Sequence, residues 1–186
     1  MIGFALCGSF CTHSKSLEEM KKLALAGYEI LPIVSENVFL TDTRFGTSAE
    51  LMQKIKDICG KDAIHTIRDA EPIGPSVHLD AMIISSCTGN TLSKMANGIT
   101  DTAVCMAAKA HLRNDRPLII APASNDALSA NLKNIAALLA KKCVYFVPMY
   151  EDDPKNKPHS LVARFELTLP TLKAALEGKQ YRRIFG

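Results

Sequence analysis

A chain of 186 residues with 47% apolar and 22% charged content can bury a sizeable core, and a single domain over 1–186 is the expectation. Basic residues exceed acidic ones only by 22 to 19 and are scattered, apart from Lys179, Arg182 and Arg183, which argues against a nucleic-acid partner. The 6 cysteines form no CxxC pair, and Cys7, Cys87, Cys105 and Cys143 lie in or beside apolar runs, so reduced thiols of a cytoplasmic protein are expected.

The opening MIGFALCGSFC is too short to span a bilayer and lacks the charged flank and cleavage site of an export signal, so no membrane association is expected. Its apolar part, IGFALCG (2–8), predicts a strand buried on both faces, followed by a helix over 14–26 that Gly27 closes. EILPIVS (29–35) predicts a second strand, and the polar, turn-rich NVFLTDTRFGT (37–47) a loop. A helix over 48–59 closed by Gly60 comes next, then a weak strand at AIHTI (63–67). AMIISS (81–86) is a strand, 91–113 a long helix, PLIIAPA (117–123) a strand and 126–141 a helix. CVYFVPM (143–149) ends the strand series, YEDDPKNKPHS (150–160) is a loop, and 160–177 is a helix closed by Gly178. Strand and helix alternate throughout, so the expected fold is a three-layer α/β domain, Rossmann-like or flavodoxin-like, with a parallel sheet of about six strands.

In such sheets ligands bind beyond the carboxyl ends of the strands. Here those ends read CGSFCTHS (7–14), Ser35-Glu36-Asn37, CTGNT (87–91) and SNDA (124–127). Small hydroxyls, glycine and asparagine beside helix N-termini supply neutral donors and partial positive charge, which suits a phosphate. Gly8-Ser9 before a helix is the simplest cradle, since glycine lets the backbone approach and the hydroxyl adds a donor. Ser, Thr and Asn after a strand are also ordinary helix caps. The first loop is not G-x-G-x-x-G, and Glu36 comes only after Ser35, so a mononucleotide fits better than a dinucleotide.

CTGNTLSKMANGITD (87–101) and APASNDAL (121–128) resemble the PASANT…AKIANGIAD and PxMNxxM segments of the flavin-binding cysteine decarboxylases, such as phosphopantothenoylcysteine decarboxylase. A longer likeness is to the family of dipicolinate synthase B subunits, carried by TDTRFG, EPIGP, MIISSCTGNTLSKMAN, AAKAHLRNDRPLIIAPASNDAL and DDPKNKPHSLVA, and running to about Leu176. The resemblance implies FMN, with Gly8, Ser9 and Phe10 holding its phosphate together with Ser35. Thr88, Gly89, Asn90 and Thr91 would line the flavin and its ribityl chain, Ala123 and Ser124 would face the isoalloxazine ring, and Asn125 would meet substrate. It implies oxidation of dihydrodipicolinate in the mother cell of a sporulating bacterium. It also implies a partner, the A subunit of dipicolinate synthase, carrying NAD(P), and a homo-oligomer in contact along 91–113. The decarboxylases' catalytic histidine falls near Pro72, with His65 and His78 out of register, so no catalytic residue is assigned. Ser124 stands where those enzymes have methionine. The alternatives are a stand-alone FMN-dependent decarboxylase or prenyltransferase, or an interaction subunit that has lost its cofactor.

Outside those segments, Arg44 in TDTRFGT suits a planar carboxylate, with a structural pair to Asp42 as the other reading. Lys155, Lys157 and His159 could meet a dianion or simply be solvated. His13 could donate to an anion or face solvent. Asp126 reads as a helix N-terminal charge, and Cys87 as a packing residue rather than a reactive thiol. Cys7 and Cys11 have no histidine cluster near them and predict no zinc site.

Overall fold

The computed structural model describes residues 1–185. Four parallel strands form its centre: β1 (Ile2–Leu6), β2 (Ile30–Val34), β3 (Ala81–Cys87) and β4 (Leu118–Ser124), paired in the order β2-β1-β3-β4. The outer edge of β4 is shared. Its first half pairs in parallel with β5 (Val144–Phe146), and its last two residues, Ala123 and Ser124, pair antiparallel with β7 (Leu161–Ala163). β6 (Met149–Tyr150) pairs antiparallel with β7, giving 7 strands where about six parallel ones were expected.

Alternate residues of the central strands feed two cores, which makes the domain three-layered. Phe4, Leu6, Ile83 and Ile119 pack with Met20 and Leu23 of α1 (His13–Leu25), Ile55 of α3 (Ser48–Cys59) and Leu172 of α8 (Thr168–Leu176). Ala5, Ile33, Ile84 and Ile120 pack with Leu92 of α5 (Gly89–Ala96), Val104 of α6 (Ala103–Leu112) and Ile135 of α7 (Leu132–Leu139). The short helices α2 (Glu36–Leu40) and α4 (Ile67–Ala70) complete the set. Within β3 the register against β4 shifts between Ser85 and Cys87, and the extra residue turns Cys87 onto the α5 side beside Ile84.

Several elements are shorter than their apolar periods suggest, each for a local reason. The 91–113 pattern breaks at Gly98, whose φ of +73° ends α5, and restarts where the Thr102 hydroxyl accepts from the Cys105 amide at 3.2 Å. The 126–141 helix begins only at Leu132, because the Ser129 and Asn131 amides both donate to the Asp126 carbonyl and wind 126–131 into a turn. At 63–67 only Ile64 pairs, through a single parallel bridge to Ile33. Pro148, which has no amide proton, separates β5 from β6. Residues 161–163, expected as helix, are strand β7, and 36–40, expected mostly as loop, are helical. Among the described residues no helix is long and apolar enough to cross a membrane.

Phe4 is fully buried at the middle of the sheet. Phe4→Ala is expected to lower unfolding stability by about 3–5 kcal/mol through lost burial and an unfilled cavity, measurable as a lower urea midpoint at unchanged slope.

Candidate functional site

The chain steps outward from β1 to β2 and then returns past β1 to β3, so a crevice opens between the carboxyl ends of β1 and β3. A cleft of about 710 Å³ lies there and reaches to the end of β4. It brings together Gly8, Ser9 and Phe10 from the first tip, Thr88, Gly89 and Asn90 from the third, and Ala123, Ser124 and Asn125 from the fourth. Arg44 stands on its rim. The second tip contributes nothing to this lining: Ser35 donates its amide to the Leu6 carbonyl at 3.0 Å and lies outside the cleft. Glu36 next to it accepts from the Ala103 amide at 3.1 Å, capping α6.

At the β1 tip, Gly8 has no positive φ, and a Cβ there would meet nothing nearer than the Phe10 ring at 3.7 Å. Neither backbone conformation nor packing within the chain requires glycine, and the space it leaves opens into the cleft. Thr12 Oγ1 donates to the Ser9 carbonyl at 2.8 Å with Ser9 Oγ 3.1 Å away, and the Ser9 hydroxyl donates to no acceptor of its own among the described residues. The amides of Phe10 and Cys11 have no acceptor among the described residues. His13, considered above as an anion donor, is instead turned into the fold. Its Nε2–H donates to the Cys7 carbonyl at 2.7 Å, and burial pushes its pKa below the usual imidazole range despite that hydrogen bond.

At the β3 tip, Thr88 caps α5, its Oγ1 accepting from the Thr91 amide at 3.2 Å. Thr91 is buried with its hydroxyl 3.1 Å from that same oxygen, so it supports the turn from beneath and does not line the cleft. The cup is built from the ends of β1, β3 and β4, with Ser35 and Thr91 outside it. Cys87 is fully buried and its thiol is pushed well up by burial, in keeping with a packing residue. No group of three or more His, Cys, Asp or Glu side chains arranged to hold a metal occurs among the described residues.

At the β4 tip, half-buried Asp126 is the centre of a hydrogen-bond network. Ser124 Oγ donates to one carboxylate oxygen at 2.5 Å and Asn131 Nδ2 to the other at 2.8 Å, while Asn134 Nδ2 donates to Asn131 Oδ1 at 2.8 Å. With α7 starting only at Leu132, Asp126 is not the helix N-terminal charge expected of it. The network packs against the first residue of α5. A Cβ on Gly89 would come within 2.5 Å of Asn131 Nδ2 and 2.6 Å of both Ser124 Oγ and Asp126 Oδ1. Asp126 therefore lines the cleft in a role other than the helix charge expected of it, since that role depends on Ser124 two residues back and Asn131 five residues on.

The rim is cationic. Arg44 stacks over the Phe45 ring at 4.9 Å and has no acidic partner among the described residues. Asp42 instead accepts from the Ser48 amide at 2.8 Å. Lys157 faces the cleft while paired with Asp152 at 3.3 Å, whereas Lys155 and His159 are exposed outside the lining. The 150–160 loop is tied down where the Leu128 amide donates to the His159 carbonyl at 2.9 Å. No histidine lines the cleft among the described residues, and His65 is stacked on Phe39 with ring centroids 3.7 Å apart.

Because His13 is held neutral in the fold, its protonation favours the unfolded chain. The stability it contributes is complete above the unfolded imidazole value, about 6.5, and is lost as pH falls below it. Melting temperature is therefore expected to drop less between pH 7 and pH 5 in His13→Gln than in the wild type.

Residues 1–163 match the model of the family described as Flavoprotein. The B subunit of dipicolinate synthase from Bacillus subtilis (strain 168) is 44% identical over 183 residues, covering 98% of this chain and 92% of the relative. The solved structure of the dipicolinate synthase B subunit from Bacillus halodurans C superposes with a TM-score of 0.91 at 44% identity, over 100% of this chain and 95% of that one. The FMN-dependent cysteine decarboxylase SpaF, with a TM-score of 0.67 at 18% identity over 95% of each chain, shares the fold. The chain belongs to the Flavoprotein family and groups within it with the dipicolinate synthase B subunits.

Proposed function

We propose that the chain is the B subunit of a dipicolinate synthase, holds FMN at the ends of β1, β3 and β4, and works with an A subunit that carries NAD(P). Together they oxidise dihydrodipicolinate to dipicolinate in the mother-cell cytoplasm during sporulation. The observation that carries the cofactor reading is Gly8, whose missing side chain serves no contact within the chain and leaves room for a ligand beside a free hydroxyl and two unpaired amides. An anion fits that donor set. Ser9, Phe10 and the Cys11 amide would hold the phosphate, Thr88, Gly89 and Asn90 the ribityl chain, and Ala123 and Ser124 the ring.

Aromatisation of a dihydropyridine releases a hydride and a proton, and a flavin supplies a two-electron acceptor. The chain's own contribution is to bind and orient. Arg44 offers a bidentate fork to a carboxylate, and Asn125 lies within the same cleft. Both carboxylates in the lining are already engaged, Asp126 by Ser124 and Asn131 and Asp152 by Lys157. With no histidine there either, the lining favours an orienting role over proton transfer, and it gives no support to a stand-alone decarboxylase that relies on a histidine base. A homo-oligomer is supported by the α5–α6 face, where exposed Ile99 borders a pocket of about 420 Å³ that Met95 and Leu112 also line.

Purified protein is expected to be yellow or to take up added FMN with quenched flavin fluorescence, and Asn90→Asp to weaken that uptake by placing a negative charge at the site. A colourless protein that binds no FMN leaves the interaction-module reading instead. Turnover of dihydrodipicolinate is expected only with the A subunit present, and Arg44→Ala is expected to raise KM roughly ten- to hundredfold, the worth of one charged hydrogen-bonded contact. Full turnover by this chain alone, or an unchanged KM, contradicts the assignment.

A further inference from the structure

The hydrogen-bond directions at the β4 tip constrain what the cleft recognises there. The Asp126 carboxylate turns the Asn131 amide with its NH2 group toward it, and Asn131 Oδ1 then accepts from Asn134. A carboxylate only accepts, so both Asn131 Nδ2 and the Ser124 hydroxyl direct hydrogens onto Asp126. The Ser124 proton is thereby used internally, and toward the cleft that oxygen offers lone pairs alone. Ser9, at the opposite end of the same cleft, has a hydroxyl that donates to no acceptor among the described residues. One end of the cleft therefore donates and the other accepts.

We propose that Asp126 is a positioning residue that locks Ser124 as an acceptor, and that Ser124 receives an N–H of the bound heterocycle while the Ser9 end holds the anion. The assignment rests on the FMN reading above. Two ring positions supply the shared chemistry: the N3–H present in both oxidation states, and the N5–H gained on reduction.

Asp126→Asn tests the polarity itself. With Asn131 keeping its Oδ1 on Asn134 and its NH2 toward residue 126, the new amide oxygen faces Asn131 Nδ2, which leaves its NH2 toward Ser124. The serine then becomes the acceptor of that bond and turns its own proton into the cleft, where it opposes an N–H. Dissociation constants for FMN and N3-methyl FMN, each oxidised and reduced, are to be measured on wild type, Asp126→Asn, Ser124→Ala and the double variant, with thermal melts as a check of folding.

Each single substitution is expected to weaken FMN binding roughly two- to tenfold, the worth of one neutral hydrogen bond, and Asp126→Asn to add nothing once Ser124 is alanine. Insensitivity of N3-methyl FMN to Ser124→Ala identifies N3–H as the partner, while sensitivity confined to reduced flavin identifies N5–H. Unchanged affinities in folded single variants, or an Asp126→Asn effect that persists in the Ser124→Ala background, overturn the proposal. Should Asp126→Asn not fold, Ser124→Ala probes the same acceptor without disturbing the carboxylate, and unchanged affinity there overturns it equally. Wild-type protein that binds no FMN at all fails the flavin reading first and takes this assignment with it, a result distinct from intact binding that ignores the substitutions.

Discussion

The close approach of the α5 N-terminus to the turn after β4 is the constraint on which the cleft depends. With no side chain at residue 89, the first turn of α5 rests directly on Ser124, Asp126 and Asn131, at distances where any Cβ would collide with all three. That contact ties a helix on one face of the sheet to a turn that leaves a neighbouring strand. Side-chain hydrogen bonds make the turn stiff, since Asp126 uses both oxygens and both asparagines are buried. Thr88, which caps α5, and Ser124, which ends β4, are thereby held in a fixed relation, as preorganised recognition requires.

Charge is distributed around this frame in a consistent way. The floor carries hydroxyls, amides and free backbone N–H groups, with both Asp126 carboxylate oxygens accepting hydrogen bonds. Arg44 and the Lys157–Asp152 ion pair stand above it on two separate loops, so that Arg44 carries the net positive charge there. A ligand with a phosphate deep in the cleft and a dicarboxylate nearer the mouth would meet partial positive charge below and full positive charge at the entrance. Arg44 is held over the Phe45 ring, 4.9 Å from its centroid, a contact that limits the rotamers it must give up on binding.

Residues that look reactive in a one-dimensional reading are largely consumed by the fold. His13 and His111 both donate to backbone carbonyls, of Cys7 and Pro117, and burial lowers both imidazole pKa values. Cys105 is pushed up to about 11, again by burial, and Cys87 lies under the β3 tip with its thiol packed inward. Ser16 and Ser85 satisfy each other at 2.9 Å between α1 and β3, so polar residues of the SSCT stretch serve the core as well as the turn. On the cleft floor the chemistry open to ligands is carried by smaller, neutral groups, with Arg44 the charged one at the rim.

The sequence by itself determined the parallel strands, the helices that Gly27, Gly60 and Gly178 close, and the polar character of the strand tips. Those features follow from periodicity and short-range capping, which act within a few residues. The long motifs likewise carried the family. Tertiary structure alone decided which tips meet. Ser35 falls outside the cleft because β2 lies beyond β1 in the sheet, and Thr91 is drawn under its own cap. Residues 161–163 became a strand because the open edge of β4 at Ala123 and Ser124 offered hydrogen bonds that no local pattern announces. The direction of the Ser124 hydroxyl rests on Asp126, Asn131 and Asn134 in succession, a property of their joint geometry that no one of those residues specifies.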